Sequence, residues 1–257
     1  MAFNNYYDFK LGDKKLSDFG GVLHNGGNDY VKLSLLPSMA KDVEETPLVD
    51  GNIYYGGRYE PRTIELNILI ENPNFNQEEF INWLKPKKAQ WFNFIGDNKK
   101  ILVVYDDVVD MEIYNYSQST ITLKLIAHDP YWYLINDVVF QQASPTLNTT
   151  YTINNKGNTE SYPLIKISCS STQTISFELN GKKYKLTNVI NDTYIDCYTC
   201  TVYTINNSVK TNRISLYECL NGKYKYEFGY LNFGKNSIKI TGGTVNSLTV
   251  ECKSRFI

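Results

Sequence analysis

Two cysteines three positions apart are the residues whose spacing most directly suggests chemistry. Cys197 and Cys200 have the CxxC spacing that zinc sites and thiol-redox sites use. A structural zinc needs four ligands, but both histidines, His24 and His128, lie far away in the N-terminal half of the chain. A thioredoxin-like site needs a helix after the first cysteine, whereas residues 201–205 have the composition of a strand. We therefore expect two inert thiols, no metal and no cofactor.

The histidines and the acidic pairs give no better candidate for catalysis. His24 lies in a glycine-rich stretch that lacks the Lys-Ser/Thr of a phosphate-binding loop. His128 precedes Asp129, but no serine or cysteine has the context of a nucleophile elbow. Adjacent carboxylates on a strand point to opposite faces, and the pair Glu78-Glu79 suits the start of a helix. The sequence therefore predicts that this protein is not an enzyme.

Composition excludes several classes of protein. The 257 residues hold 26 Lys and Arg against 27 Asp and Glu, a net charge of −1, which argues against nucleic-acid binding through phosphates. Apolar runs are far too short for membrane insertion, and the absence of an export signal predicts a soluble protein made in a cytoplasm. The five cysteines are an odd number, which argues against a disulfide framework. Aromatic residues make up 14%, a level that suits sheets and protein contact surfaces.

The elements that could position any site are mostly strands. Apolar residues alternate with polar ones over residues 63–70 and 120–127, which predicts two half-buried strands. Residues 91–95 and 101–105 flank a polar turn and predict a hairpin.

One helix interrupts these strands. Asn76 can cap it with Glu79 three residues later, and Phe75 and Phe80 can form a hydrophobic staple. Phe80, Ile81, Trp83 and Leu84 are expected to form its apolar face, and Pro86 to end it.

A change in composition predicts two domains. Residues 141–157 are polar, contain a proline and lack periodicity. We place the domains at 1–137 and 161–257, with a linker at 138–160. Short strands at regular spacing make the second domain an all-β sandwich or jelly roll, with hairpins predicted at Asn180-Gly181 and Asn221-Gly222.

Residues 37–57 form a long segment without a regular pattern. Such segments are usually functional or disordered, so this one is either a disordered surface loop or an arm that orders against a neighbouring subunit. Tyrosine and arginine are enriched at interface hot spots. In the second interpretation the interface residues are Ile53, Tyr54, Tyr55, Arg58, Tyr59 and Arg62.

Several short motifs, in a fixed order, carry a resemblance to a known family. Trp83-Leu-Lys-Pro-Lys-Lys88 follows the helix, and Asp129-Pro-Tyr-Trp-Tyr133 follows a strand. Tyr230-Leu-Asn-Phe-Gly-Lys-Asn-Ser-Ile238 is similar to a Leu-x-Pro-Gly-x-Asn-x-Ile signature, with Phe233 in place of the proline. In this order the motifs resemble the distal tail protein family of long-tailed siphophages, over essentially the whole chain.

The resemblance implies a fold and a structural function. It implies a mainly β fold: an N-terminal β-sandwich or split-barrel-like domain with one α-helix, and a C-terminal galectin-like β-sandwich. It implies a hexameric ring in the phage tail tip or baseplate, formed by the N-terminal domains and assembled in the host bacterial cytoplasm. The implied partners are copies of the chain itself, the tail tube protein, the tape-measure protein and the tail-associated or receptor-binding proteins.

Other functions stay open at this point. The chain could be a carbohydrate-binding β-sandwich adhesion protein, or the equivalent part of a tail-like bacteriocin particle. A glycosidase is the weakest alternative.

Overall fold

A computed structural model of the protein describes residues 8–24, 36–45, 52–85, 87–106, 110–115 and 118–257, without the side chains of residues 45, 52, 53, 110 and 115. The described chain is mainly β with a single α-helix, as expected. It divides into unit 1 (Met1–Ile135 with Ile257) and unit 2 (Asn136–Phe256). None of the helices in these ranges has the length and apolar character of a membrane-spanning segment.

Unit 1 contains eleven described strands, one 3-10 helix and the α-helix. Its elements are β1 (Phe9–Leu11), β2 (Lys14–Lys15), a 3-10 helix (Leu16–Phe19), β3 (Gly21–Leu23), β4 (Met39–Glu45), β5 (Asn52–Tyr59), β6 (Arg62–Glu71), α1 (Gln77–Leu84), β7 (Gln90–Phe94), β8 (Lys99–Tyr105), β9 (Asp110–Asn115), β10 (Gln118–Ala127) and β11 (Trp132–Leu134).

The main sheet of unit 1 is antiparallel and has the order β2-β1-β7-β8-β10-β6-β3. Strand β9 pairs with β10 beside β8, and β4 and β5 form a separate two-stranded sheet. Strand β6 alternates buried and exposed residues, because every second side chain points to the core. Ile64, Leu66, Ile68 and Ile70 are its buried apolar residues.

Helix α1 covers this apolar face, and its start agrees with the sequence-based prediction. The Asn76 side chain accepts a hydrogen bond from the Glu79 backbone N–H at 3.2 Å, and the Phe75 and Phe80 rings are 5.4 Å apart. Trp83 is buried and its Nε1 donates to the Leu11 carbonyl at 2.9 Å. The helix ends at Leu84, and Pro86 lies outside the described residues.

The apolar face of α1 differs from the prediction at one position. Phe80, Trp83 and Leu84 are buried, whereas Ile81 is 51% exposed. Ile81 therefore lies at the edge of the helix–sheet contact, where it lines an apolar groove beside α1.

Unit 2 contains ten strands and one 3-10 helix. Its elements are β12 (Val138–Ala143), β13 (Thr150–Asn155), β14 (Leu164–Leu179), β15 (Lys182–Asp196), β16 (Thr201–Asn206), β17 (Val209–Asn212), a 3-10 helix (Ile214–Leu216), β18 (Tyr217–Cys219), β19 (Gly234–Gly242), β20 (Ser247–Cys252) and β21 (Arg255–Phe256).

A long hairpin, β14–β15, organises unit 2. Asn180 and Gly181 both have positive φ (50° and 83°), as a tight hairpin turn requires, so the first predicted hairpin is confirmed. The first part of β14 pairs with β20 and its last part pairs with β19. Irregular pairing in the middle of β14 lets one strand bend between these two partners.

The predicted linker at 138–160 is wrong. Strand β12 pairs with β20 along its whole length, and β13 pairs with β19. Val138 and Phe140 pack on the core of unit 2, whereas alternate residues of β12 are exposed. An edge strand with one buried face needs few apolar residues, which is why the segment resembled a linker.

The prediction of a second hairpin, at Asn221-Gly222, is also wrong. Residues 220–233 contain no strand, because their polar groups bond elsewhere. The Asn221 side chain accepts from the Lys183 backbone N–H at 2.7 Å and donates to the Gly181 carbonyl at 3.1 Å. The Glu227 carboxylate accepts from the Lys223 backbone N–H at 2.7 Å and from the Lys182 ammonium.

The signature-like segment before β19 forms a turn closed by a buried side chain. The Asn236 Oδ1 accepts from the Asn232 backbone N–H at 2.7 Å and from the Asn180 Nδ2 at 2.8 Å. Its Nδ2 donates to the carbonyls of Asn232 and Gly234, both at 2.9 Å. Phe233, which replaces the proline of the signature, is 69% exposed.

Candidate functional site

The two cysteines of the CxxC pair differ in burial. Cys197 is buried, and this desolvation raises the pKa of its thiol to about 12, so the thiolate that redox chemistry needs is disfavoured. Cys200 is exposed in the turn between β15 and β16. Cys169, Cys219 and Cys252 are buried. Within the described ranges no three His, Cys, Asp or Glu side chains are grouped closely enough to hold a metal ion.

The other candidates for chemistry have structural contacts. The Asp129 carboxylate accepts from the Tyr133 hydroxyl at 2.5 Å, which ties together the turn after β10. Glu79 pairs with Lys14 at 2.6 Å, across the start of α1. The glycines that follow His24 lie outside the described residues.

The segment expected to be irregular contains a β-hairpin instead. Strands β4 and β5 pair antiparallel from Met39↔Tyr59 to Glu45↔Asn52; we call residues 39–59 the arm. The sequence hides this hairpin because the register shifts after Asp42, where Gly56 has φ 142°. Positive φ suits glycine, and the extra residue breaks the alternation by which strands are recognised.

The arm carries an apolar pair near each end of one face. Met39 lies opposite Tyr59, and Val43 lies opposite Tyr54. Residues 39 and 43 are four apart on one strand, so both pairs belong to the same face. All four side chains are exposed. The Tyr59 ring contacts the Tyr131 ring edge-on, with centroids 6.3 Å apart.

Four of the six predicted interface residues lie exposed on the arm. Tyr54 and Tyr55 are 57% and 61% exposed, and Arg58 and Tyr59 are also exposed. The Tyr55 hydroxyl donates to the Glu44 carboxylate at 2.7 Å, and this hydrogen bond raises the pKa of the phenol.

The other two predicted residues differ. The backbone of Ile53 is in β5, but its side chain lies outside the described residues. Arg62 begins β6 and is only 6% exposed, so the structure does not bring it to the exposed face of the arm. This burial lowers the pKa of its guanidinium. Met39 and Val43 were missed, although their spacing of four residues around Lys41 is a period-two signal.

Unit 2 contains a pair of stacked tyrosines whose ring faces are partly occupied. Tyr194 and Tyr203 lie on neighbouring strands and stack with centroids 5.2 Å apart. Lys166 lies over the Tyr194 ring at 5.5 Å, and Lys210 lies over the Tyr203 ring at 4.4 Å. A sugar ring stacks on an open aromatic face, so this cluster does not favour a carbohydrate site.

Comparison with known proteins relates the chain to phage tail structures. No family model matches it, and no curated protein matches it in sequence. The crystal structure of SPP1 Dit, described as a paradigm of the hub adsorption apparatus in phages that infect Gram-positive bacteria, is similar with a TM-score of 0.74 and 15% identity, over 98% of this chain and 99% of that one. The phage p2 baseplate in its activated conformation is similar with strontium (TM-score 0.52, 9% identity, 96% of this chain and 97% of that one) and with calcium (TM-score 0.50, 8% identity, the same coverage). The predicted resemblance is thus confirmed at the level of the fold: from end to end, this chain has the fold of a phage Dit hub protein.

Proposed function

We propose that this protein is a structural hub of a phage tail tip, where it forms a homo-hexameric ring that joins the tail tube to host-adhesion components. The observation that carries the proposal is the similarity to SPP1 Dit over 98% of the chain with a TM-score of 0.74. Agreement over both units, rather than over a single sandwich, supports a role for the whole chain.

The exposed arm supports self-assembly. A two-stranded hairpin is marginally stable in water without further packing, and this one exposes four large apolar side chains on one face. Burial of that face against a second copy would remove apolar surface from water at about 25 cal/mol per Å². Head-to-tail contacts of this kind close into a ring when the rotation between copies permits.

The oligomeric state of the full-length chain tests the ring. Light scattering after size-exclusion chromatography is expected to give about six times the chain mass of 29.6 kDa, and negative-stain images are expected to show six-fold rings. The variant Tyr54→Ala/Tyr55→Ala is expected to dissociate at concentrations where the parent stays assembled. Tyr224→Ala, which changes an equally exposed tyrosine in unit 2, is the matched control.

Two results would contradict parts of this proposal. A monomer at every concentration tested would reject self-assembly into a ring. An unchanged ring in the double variant would reject the arm as the contact.

The position in the particle needs a separate test. Antibodies against the chain, applied to intact phage, are expected to label the tail tip. The implied neighbours there are the tail tube protein, the tape-measure protein and the tail-associated or receptor-binding proteins. Labelling along the tail or on the head would contradict a hub.

A further inference from the structure

One end of unit 2 is built from the tip of the β14–β15 hairpin and the segment that precedes β19. The Asn221 Nδ2 donates to the Gly181 carbonyl at 3.1 Å, and the Asn180 Nδ2 donates to the Tyr230 carbonyl at 3.2 Å. These hydrogen bonds attach both parts of the segment to the same tip. We call this region the hairpin end: residues 180–183 and 220–235.

The hairpin end is strongly basic. It contains five lysines and a single carboxylate, Glu227, in a chain whose net charge is −1. Lys182 pairs with Glu227. The other four lysines are exposed and have no carboxylate within ion-pair distance in the described part of the chain: Lys183, Lys223, Lys225 and Lys235. A concentration of unpaired positive charge on one surface attracts anionic partners.

The same region exposes large apolar and aromatic side chains. Four of them are exposed to solvent: Leu220, Tyr224, Tyr226 and Phe233. The Lys223 ammonium lies 5.3 Å from the centroid of the Tyr224 ring, and the Lys225 ammonium lies 5.4 Å from that of Tyr226. Cationic and apolar groups are therefore interleaved on one surface.

The loop beside the hairpin tip is held in shape by its own contacts. The Glu227 carboxylate accepts from the Lys223 backbone N–H at 2.7 Å, and the Lys225 carbonyl accepts from the Cys219 backbone N–H at 2.7 Å. Gly222 packs so closely that an added Cβ would lie 2.4 Å from the Glu227 Oε2. Binding to a partner would thus order few further groups, which favours affinity.

The residue types indicate a lipid surface rather than a protein partner. Protein interfaces are depleted in lysine and enriched in arginine, whose guanidinium binds carboxylates in a bidentate manner, and the hairpin end contains no arginine. Lysine is a point charge that suits phosphate groups. At a membrane surface, tyrosine rings lie at the level of the headgroups, phenylalanine and leucine reach the acyl boundary, and lysine binds anionic headgroups.

We infer that the hairpin end of unit 2 binds the surface of an anionic phospholipid membrane, with Phe233 at the acyl boundary and Lys223 and Lys225 at the headgroup phosphates. The contact is peripheral, because it uses side chains on loops and no spanning segment. This activity goes beyond the proposed hub and requires neither a ring nor a tail partner.

Sedimentation with vesicles tests the charge of the site in the full-length chain. Co-sedimentation is expected with vesicles of equal parts phosphatidylglycerol and phosphatidylcholine, and not with phosphatidylcholine alone. Lys223→Gln/Lys225→Gln is expected to weaken the partition into anionic vesicles about 30-fold, at ~1 kcal/mol per lysine near an anionic surface. Both lysines hold the loop through their backbone only, so these changes leave its hydrogen bonds in place.

A second lysine pair is the matched control. Lys166 and Lys210 also lie over tyrosine rings but belong to β14 and β17, outside the hairpin end. Lys166→Gln/Lys210→Gln makes the same change in net charge, and it is expected to weaken the partition less than about threefold, because screened charges act over a short range.

An environment-sensitive dye tests whether the apolar part enters the membrane. In a Cys200→Ser background, which removes the exposed native thiol, Phe233→Cys is labelled with a nitrobenzoxadiazole dye, whose emission is expected to shift to the blue on anionic vesicles. Val139→Cys, at an exposed position on β12, is the control and is expected to show no shift. Val139 pairs with Glu251, which pairs with Leu164 at the opposite end of β14 from the hairpin tip.

The outcomes decide the inference without involving the hub. Co-sedimentation that is weakened by the Lys223 and Lys225 changes but not by the control pair, with a dye shift at position 233 alone, supports membrane binding. Absence of co-sedimentation with anionic vesicles at low salt overturns it. Co-sedimentation without a shift at position 233, or weakened equally by both lysine pairs, also overturns it and favours an acidic protein or a soluble polyanion as the partner. Size-exclusion chromatography of the same samples reports on the ring separately.

Discussion

Replacing Asn236 by alanine tests whether one buried amide holds the turn before β19. The side chain is 4% exposed and makes four hydrogen bonds, two through Oδ1 and two through Nδ2. At a net value of about 1 kcal/mol each, the four sum to about 4 kcal/mol. Water can reach some of the freed groups because Asn232 is exposed, so we expect a loss of about 3 kcal/mol in the free energy of unfolding of unit 2.

The assay must distinguish the two units. Trp83, Trp91 and Trp132 are the three tryptophans of the chain and all belong to unit 1, so tryptophan fluorescence during urea unfolding reports on that unit. Hydrogen exchange at the β14 and β19 amides reports on unit 2. A loss of about 3 kcal/mol corresponds to a ~150-fold fall in protection there.

The variant Asn232→Ala is the matched control for this prediction. Asn232 enters the same network only through its backbone, so Asn232→Ala is expected to change stability by less than about 0.5 kcal/mol. A loss below about 1 kcal/mol in Asn236→Ala, or an equal loss in both variants, would refute the reasoning. A shifted tryptophan transition would show that the change acts beyond unit 2.

Three further predictions concern unit 2. Hydrogen bonds from Lys182 and from the Lys223 backbone lower the pKa of Glu227, so its contribution to stability is present above the unfolded value of about 4.3 and is lost as the pH falls through the folded value. Thermal melts between about pH 3 and pH 7 are expected to show a weaker acid dependence in Glu227→Gln. The Tyr184 hydroxyl is buried with no hydrogen-bond partner in the described residues, so Tyr184→Phe is expected to change the free energy of unfolding by between about 0 and +1 kcal/mol in urea titrations; a loss above about 1 kcal/mol would mean that the hydroxyl has a bound water. Protein purified without chelators is expected to contain no stoichiometric zinc by elemental analysis, and zinc that disappears in Cys200→Ser would overturn the expectation of an inert thiol pair.

The sequence was most informative where local rules decide the structure. The cap at Asn76, the staple of Phe75 and Phe80 and the turn at Asn180-Gly181 each depend on residues close in sequence, and all three occur as predicted. The same dipeptide at Asn221-Gly222 failed because the Asn221 side chain bonds to the turn at Gly181, forty residues away. Long-range partners of this kind leave no local pattern.

The candidate interface also depends on tertiary structure that the local sequence pattern does not reveal. Sequence reasoning identified Tyr54, Tyr55, Arg58 and Tyr59 by residue type, but it placed them in an irregular loop. They lie instead on a hairpin whose register shift interrupts the period-two pattern by which strands are recognised. Burial of Arg62 is likewise a tertiary property, set by its place at the start of β6.

The accessibility of the five thiols has a practical consequence. Four are buried, and Cys200 alone is exposed, in a turn where it has φ 52°. A maleimide fluorophore applied to the native protein therefore attaches once per chain, without any engineered cysteine. Each assembled particle would then lose its fluorescence in as many discrete bleaching steps as it has subunits, so the copy number of this protein could be counted one particle at a time.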